Sequence, residues 1–351
     1  MTSGSLAERL AVAIDGGGPL SVAKFMAAAN NHYYATRDPF GVQGDFITAP
    51  EISQIFGELI GLCLAEMVMR SGYADAHYVE LGPGRGTLAN DALRAMQTVA
   101  ISPKVHFVET SPVLRAKQAE VLPEACWHDT VGTLPTDVPL LIVANEFFDA
   151  LPIHQIVRTE GGWRQRMVSA QDGCFMFTDG PLVPHAIIPD ILKDSPVGSV
   201  LETCPDAVDI MRQLSQRIGE QGGAIILIDY GYDGPAIGDT LQAVSAHCFA
   251  DILAEPGERD LTAHVDFTTL GAMAELCGVA VHGPVEQGLW LARLGLAERA
   301  VALSLSQPDR SAEIMSASRR LADTDAMGRL FRVMAVTSGN WPIPAGFELD
   351  H

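Results

Sequence analysis

The stretch Glu80-Leu81-Gly82-Pro83-Gly84-Arg85-Gly86-Thr87 decides the fold of this chain. It follows the apolar run 77–81 and opens the amphipathic pattern 87–99, a context that predicts a strand, a tight turn and a helix. Closely spaced glycines let a backbone approach a ligand without Cβ clashes, and the helix N-terminus offers free amides. The stretch therefore predicts a binding site for a nucleotide-like ligand.

The spacing of the glycines favours one class of ligand. A dinucleotide motif has its third glycine three residues after the second, whereas Gly82, Gly84 and Gly86 are evenly two apart. Glu80 would attract the cationic groups of S-adenosyl-L-methionine and repel a pyrophosphate. The sequence thus predicts S-adenosyl-L-methionine, held by Glu80, the three glycines and Pro83, with a purely structural turn as the alternative.

Two later carboxylates are further candidates for donor binding. Glu109 ends the apolar segment 103–108 and lies 23 residues after Gly86, close to the ~20 of the dinucleotide pattern. We expect Glu109 to accept both ribose hydroxyls, the alternative being an ordinary solvated acid at a strand end. Asp129, near a third strand end, is expected to bind the adenine amino group.

Short apolar runs alternate with helical patterns after residue 76, which predicts a parallel sheet built from βαβ units. The predicted strands lie near 77–81, 105–108, 140–144 and 224–228, with helices at 87–99 and 207–218 between them. Alternating segments within 153–178 predict β-hairpins. Beyond the core we expect helices at 267–276, 289–305 and 312–321 and extended segments at 279–282 and 330–337, the last closing the sheet's edge.

The expected fold class is α/β, a doubly wound, Rossmann-like class I methyltransferase sheet. An N-terminal helical extension and an inserted β-hairpin and helical substrate region complete it. The predicted domain ranges are a helical lid region 1–70, a donor-binding core 71–150 and 200–288 with 330–340, inserted hairpins 151–199 and a helical insertion 289–329.

The methyl acceptor is expected beside the segment 145–152, which follows the strand 140–144 at the carboxyl edge of the sheet. Glu146 and Asp149 are three residues apart, so on a helical turn both could grip a planar guanidinium and accept its proton. Asn145 precedes them and is placed at both the donor and the acceptor. The alternative is a polar helix start after a strand.

A capping box is predicted upstream, at residues 48–51. Thr48 would cap a helix, Pro50 would occupy its first turn, and Glu51 would return to the cap amide. The following apolar positions, Ile52, Ile55, Phe56, Leu59 and Cys63, fall on one helical face.

Composition excludes several functional classes. The 351 residues include 43 acids and 23 Lys or Arg, a net charge of −20 that disfavours nucleic acid and would attract a cationic substrate. No apolar run reaches the roughly 20 residues of a membrane span, so we expect no membrane insertion. The six cysteines are scattered without metal-site spacing, so no metal is predicted.

Location and assembly are less constrained by the sequence. Residues 1–14 lack the basic start and apolar core of a secretory signal, and Glu8 argues against a mitochondrial presequence. We therefore expect a cytosolic protein. A homodimer is compatible with the sequence, although no feature requires one.

Several segments together resemble the MidA-like methyltransferases, the family of the mitochondrial complex I assembly factor that symmetrically dimethylates an arginine. They are 44–58, which begins Gly44-Asp45-Phe46-Ile47-Thr48-Ala49-Pro50-Glu51, then Glu80–Thr87, 145–152, 204–207, 229–232 and 260–267. The resemblance implies a seven-stranded methyltransferase sheet with a hairpin insertion. It also implies protein arginine methylation, with the 49 kDa-class subunit of the respiratory NADH dehydrogenase as the protein substrate.

The resemblance also assigns residues to the substrate side of the site. Asp45, Thr48 and Glu51 should cover the donor or shape the arginine channel, and Glu51 is counted among the catalytic candidates. Tyr230 should wall the acceptor pocket, and His264 and Asp266 form a polar pair beside it, each with a packing role as the alternative. Two other functions stay open: methylation of a small molecule, and a donor-binding assembly chaperone without transfer activity.

Overall fold

The computed structural model describes residues 4–36, 48–245 and 248–348. Its helices are α1 (Leu6–Gly17), α2 (Val22–Thr36), α3 (Ala49–Ile52), α4 (Gln54–Ser71), α5 (Thr87–Gln97), α6 (Pro112–Val121), α7 (Pro205–Gln221), α8 (Phe267–Leu276), α9 (Gln287–Arg293), α10 (Leu296–Ser306), α11 (Ser311–Ala322) and α12 (Met327–Leu330). Its strands are β1 (Leu20–Ser21), β2 (His77–Leu81), β3 (Lys104–Val108), β4 (Cys126–His128), β5 (Leu140–Asn145), β6 (His154–Thr159), β7 (Gly162–Gln171), β8 (Cys174–Leu182), β9 (Val200–Thr203), β10 (Gly223–Tyr232), β11 (Gln242–Ser245), β12 (Cys248–Ala250), β13 (Asp260–Thr262), β14 (Val265–Asp266), β15 (Ala280–Glu286) and β16 (Phe331–Thr337).

The central sheet has the strand order β15-β16-β10-β5-β2-β3-β4, with the short β14 beside β10. Strands β4, β3, β2, β5 and β10 are parallel, whereas β16 is antiparallel to both of its neighbours. All residues of β2 and β5 are buried. Burial on both faces is typical of a parallel sheet covered by helices, and the predicted α/β class is confirmed.

The final strand occupies a different position from the expected one. It was predicted to close the sheet's edge, but β16 lies between β10 and β15, where Thr337 pairs with both Ala224 and Ala280. Residues 333–336 of β16 are fully buried. A strand that is apolar on both faces buries more of its apolar surface inside a sheet than at the edge. This burial explains the position of β16.

A second, antiparallel sheet carries the hairpins. Its order is β1-β7-β6-β9, with β8 beside β7. Leu20 of β1 pairs with Val168 of β7. Helices α1 and α2 pack on this sheet through Leu10, Phe25 and Met26. The N-terminal helices are therefore attached to the hairpin sheet.

Two predicted helices are each broken by one residue. The run 289–305 forms α9 and α10, because Gly295 has a φ of +89°, which a continuous helix does not allow. The helix expected from residue 48 stops at Ser53, whose extended backbone separates α3 from α4 and whose Oγ accepts the Ile55 amide at 3.3 Å. Among the described residues, no helix is both long and apolar enough to span a bilayer.

Helix α4 fixes the position of α5, the helix that starts at the glycine turn. A Cβ added to Gly61 would lie 2.3 Å from the Ala92 carbonyl oxygen, so the two helix backbones are in direct contact. The buried Glu58 binds Arg94 of α5 at 2.9 Å and Arg299 of α10 at 2.7 Å. This one carboxylate thus joins three helices.

We predict that Glu58→Gln lowers the free energy of unfolding by about 1–3 kcal/mol, because two charged hydrogen bonds are lost. The loss stays moderate because the Arg94 and Arg299 side chains are 47% and 38% exposed and water can hydrate the freed guanidinium groups. Chemical denaturation measures it. The matched control is Glu66→Gln on the same helix, which breaks an exposed pair with Arg70 and should cost at most about 0.5 kcal/mol. Equal losses in the two variants would contradict the prediction.

Candidate active site

The glycine turn has the backbone that its sequence predicts. Gly82, Gly84 and Gly86 have φ angles of +58°, +54° and +82°, values that side chains with a Cβ rarely adopt. The Gly86 amide donates to the Pro83 carbonyl at 2.7 Å and closes the turn, and Gly86 is also the N-cap residue of α5. The free amides of the α5 N-terminus therefore face the turn.

Glu80, at the end of β2, is a buried carboxylate with a raised pKa. Its side chain accepts a hydrogen bond from the Tyr78 hydroxyl at 2.8 Å and another from the Ala89 amide. Burial outweighs these bonds and raises the pKa of Glu80 to about 8. A cationic ligand beside Glu80 would restore its charged form.

Glu109 follows β3 and is also buried, which raises its pKa. Its Oε1 accepts the Ser111 amide at 2.7 Å, and its Oε2 accepts the amide group of Gln118 at 3.4 Å. Gln118 Nε2 also donates to the Gly84 carbonyl at 2.8 Å, while Gln118 Oε1 accepts from Trp127. Gln118 thus ties the glycine turn to the predicted ribose carboxylate.

Sequence reasoning missed Gln118 because a glutamine inside a helix looks like a surface residue. A signal was present, since Gln118 stands four residues after Leu114 and the two share the buried face of α6. Asp129 lies nearby but its side chain is 79% exposed and pairs with Arg115 at 2.6 Å. Arg115 in turn donates to the Glu109 carbonyl, so Asp129 is linked to the donor side of the site.

Asn145 and Glu146 end β5 on the other side of the glycine turn. The Asn145 Nδ2 donates to Glu146 Oε1 at 3.1 Å, whereas the buried Asn145 Oδ1 has no hydrogen-bond partner among the described residues. The Ala49 amide also donates to the Glu146 carboxylate, and burial raises the pKa of Glu146 to about 7. A cationic, hydrogen-bond-donating ligand would satisfy the unpartnered Asn145 oxygen and favour the charged form of Glu146.

The helical turn predicted over residues 146–149 does not form. Glu146 has a φ of +50°, outside the helical range, and its amide donates to the Ile228 carbonyl at 2.9 Å. The amides of Phe148 and Asp149 donate to the carboxylate of Asp229 instead of to the carbonyl groups of a helical turn. These bonds to β10 override the local helical preference.

Acidic side chains nevertheless converge behind Glu146. Asp149, Asp229 and Asp260 are buried. The pKa values of Asp149 and Asp229 are raised, first by burial and then by neighbouring carboxylates that include Glu146. The Tyr34 hydroxyl donates to Asp260 Oδ2 at 2.7 Å. A cationic group such as a guanidinium would favour the charged forms of these acids.

One cleft collects many of the predicted residues. It is lined by Thr48, Pro50, Glu51, Glu80, Gly82, Pro83, Gly84, Asn145 and Glu146. Its volume is about 40 Å³ among the described residues. The donor and acceptor sides therefore meet at this cleft.

The side-chain hydrogen bonds of the capping box predicted at residues 48–51 do not form. Thr48 precedes α3 but its side chain caps no amide, and Glu51 Oε1 accepts a hydrogen bond from the Thr87 hydroxyl at 2.6 Å. The stop at Ser53 leaves a helix of only four residues, and Glu51 turns to α5. Asp45, predicted on the substrate side, lies outside the described residues.

Tyr230, His264 and Asp266 lie on the far side of the acidic residues. The Tyr230 ring stacks on His264 with centroids 6.3 Å apart, and neighbouring carboxylates such as Glu146 add to burial in raising its hydroxyl pKa. His264 and Asp266 line a second cavity of about 480 Å³ that also contacts Phe148. Asp266 accepts the Thr269 amide at 3.0 Å and is the N-cap residue of α8.

Residues 59–285 match the profile of a family of S-adenosyl-L-methionine-dependent methyltransferases. The chain belongs to this family. Its relatives include the zebrafish (Danio rerio) protein arginine methyltransferase NDUFAF7, mitochondrial, which is 35% identical over 95% of this chain and 86% of the relative. The Drosophila melanogaster homolog is 36% identical over 96% of this chain and 85% of its own length.

A solved structure from Burkholderia thailandensis has the same fold, with a TM-score of 0.85 and 26% identity over 97% of this chain and 93% of that one. That protein is bound to S-adenosyl-homocysteine. As a methyltransferase of this family, the present chain uses S-adenosyl-L-methionine, and the cofactor predicted from the glycine turn is confirmed.

The residues of the cleft fit this cofactor. Three left-handed glycines allow close approach of the donor, and Glu80 is a buried carboxylate that a cationic ligand would satisfy. Glu109 lies outside the lining of the cleft and is a second buried carboxylate, linked to the glycine turn through Gln118.

The assignment to the cytosol, in contrast, is wrong by comparison with the relatives. The zebrafish, fly and human proteins are all named as mitochondrial, so the absence of a recognised presequence pattern was a poor guide.

We predict that Gln118→Ala weakens donor binding about tenfold, the equivalent of one or two lost hydrogen bonds. The reason is that Gly84 and Glu109 lose the side chain that connects them. Calorimetric titration with S-adenosyl-L-methionine measures the change. Gln155→Ala removes an equally buried glutamine that bonds to Glu202 in the hairpin sheet, and this control should keep the wild-type affinity. Equal weakening in both variants would contradict a specific role for Gln118.

Proposed function

We propose that this methyltransferase acts on an arginine side chain of a partner protein. We further propose that this partner is the 49 kDa-class subunit of the respiratory NADH dehydrogenase, and that symmetric dimethylation supports its assembly. The observation that carries the proposal is the carboxylate of Glu146, which lies in the same cleft as Glu80 and the glycine turn. The names of the relatives as protein arginine methyltransferases support it.

The donor side of the cleft binds and orients the cofactor. Glu80 and the amides of the glycine turn would hold the methionyl part, and Glu109, supported by Gln118, would hold the ribose hydroxyls. When bound, S-adenosyl-L-methionine supplies a methyl group from a positively charged sulfur. The sulfur keeps the electron pair of the broken S–C bond as the N–C bond forms. Orientation of the two reactants is the main requirement for such a transfer.

The acceptor side binds the guanidinium and removes one proton. Glu146 has its pKa raised to about 7, so at neutral pH it can accept a proton from the attacking nitrogen and still bind the cation. The buried Asn145 Oδ1 can accept a second guanidinium hydrogen. Burial and neighbouring carboxylates raise the pKa values of Asp149 and Asp229 behind Glu146, and a bound guanidinium, unlike a neutral acceptor, would favour their charged forms.

The test is a methylation assay with the full chain, labelled donor and a peptide from the 49 kDa-class subunit. Label should appear on arginine, mass spectrometry should find two methyl groups placed symmetrically, and a peptide with lysine in place of arginine should stay unlabelled. Label on a small molecule of a cell extract but on no peptide would favour small-molecule methylation. Donor binding without transfer to either would favour the assembly chaperone.

A further inference from the structure

Asp229 is a fully buried carboxylate at the end of β10, next to the cleft but outside its lining. Its Oδ2 accepts the backbone amides of Phe148 at 3.0 Å and Asp149 at 3.2 Å. Its Oδ1 accepts the amide of Tyr230 at 2.9 Å. Three backbone amides therefore share one carboxylate.

These bonds fix the segment that carries Glu146. The Glu146 amide donates to the carbonyl of Ile228, the residue before Asp229, so β10 holds residues 146, 148 and 149 by consecutive bonds. Glu146 keeps a φ of +50°, which is strained for a residue with a side chain and persists only when its neighbours impose it. The hydrogen bonds from Phe148 and Asp149 to Asp229 hold the chain just after Glu146 and so support this φ value.

The charge of a carboxylate at this position does not stabilise the fold. Asp229 is close to Glu146 and Asp149, so its charge opposes two neighbouring acids, and no ion pair to a Lys or Arg relieves it within the described residues. Burying a carboxylate among like charges is unfavourable. Its contribution is instead geometric, since a neutral apolar residue would leave the 148 and 149 amides without a partner.

We propose that Asp229 is a positioning residue for methyl transfer, which holds Glu146 against the donor cleft through the amides of Phe148 and Asp149. This inference rests on the proposed function, because Glu146 is the group that binds the acceptor. Asp229 itself does not line the cleft. Misplacement of a reacting group by about 1 Å can lower a rate about 100-fold.

The experiment compares Asp229→Asn and Asp229→Ala with the wild-type chain. Asparagine keeps one acceptor oxygen and alanine none, so we expect kcat to fall about tenfold in the first and about 100-fold in the second, with donor affinity within threefold of wild type. Hydrogen–deuterium exchange of residues 145–152 should become at least tenfold faster in the same order. Glu58→Gln, a buried carboxylate-to-amide change on α4, should change kcat by no more than threefold, and the faster exchange that follows from its lower stability should not be concentrated in residues 145–152.

Several outcomes would overturn the inference. They are an unchanged kcat, a parallel loss of donor affinity, or unchanged exchange at residues 145–152 in a variant that has lost kcat. Should alanine prevent folding, the asparagine variant still decides. If the wild-type chain methylates no arginine, the proposed function fails, whereas the exchange measurement still tests whether Asp229 holds the segment.

Discussion

Replacement of Glu146 by glutamine is expected to lower kcat for arginine methylation about 100- to 10,000-fold, the usual range for loss of a general base. Glutamine keeps the size of the side chain and can still accept the Asn145 amide, but it cannot take a proton or balance the guanidinium charge. Donor affinity should stay within about threefold, because Glu80 and Glu109 are untouched. Transfer of labelled methyl to a substrate peptide and calorimetric donor binding measure the two effects.

The raised pKa of Glu146 predicts that the activity of the wild-type chain depends on pH. Burial raises the pKa of Glu146 to about 7, so the free enzyme carries a proton there below pH 7 and a charge above it. Since transfer needs the charged form, kcat/KM should rise from pH 6 to 8 and level off above. A bound guanidinium stabilises the carboxylate, so the rise in kcat should occur at lower pH than the rise in kcat/KM. The glutamine variant should lack this rise.

Glu58→Gln is the control, since it also changes a buried glutamate to its amide, but this glutamate pairs with Arg94 and Arg299 and does not line the cleft. A Glu146→Gln variant that keeps more than a tenth of wild-type kcat would exclude Glu146 as the base. In that case Asp149, whose pKa is also raised, becomes the candidate.

Much of the fold could be predicted from the sequence because the decisive signals are local. The alternation of apolar runs and amphipathic helices placed β2, β3, β5 and β10, and the glycine stretch placed the turn after β2. Order within the sheet is a different matter. Nothing in residues 331–337 distinguishes an edge strand from an inner one except the apolar run 333–336, and this strand was therefore misplaced.

The candidate site was predicted in its residues more than in its geometry. Glu80, Asn145 and Glu146 do meet at one cleft, since strand ends of a parallel sheet gather at one edge. The conformation of residues 146–149 could not be read from the chain, because it is imposed by Asp229, 80 residues or more away in sequence. Gln118 was missed for the same reason, as its partners Gly84 and Trp127 belong to other elements.

Replacement of Gly84 by valine is expected to weaken donor binding about 30- to 100-fold. Gly84 has a φ of +54°, where a side chain costs roughly 1–2 kcal/mol and a β-branched one more. Relief of that strain would move the Gly84 carbonyl away from Gln118 and so disturb the link to Glu109. Strain and the lost hydrogen bond together approach about 2–3 kcal/mol, which corresponds to the stated loss.

Gly173→Val separates this effect from backbone strain in general. Gly173 lies in the turn between β7 and β8 with a φ of +79°, and a Cβ there meets nothing within 4 Å. Both variants should lose stability through the same left-handed strain, but only Gly84→Val should lose donor affinity in a calorimetric titration. A Gly84→Val chain that binds S-adenosyl-L-methionine as tightly as the Gly173→Val chain would mean that the donor does not lie against the glycine turn. The predicted contacts of Glu80 and Glu109 with the donor would then fail together, because both depend on that position.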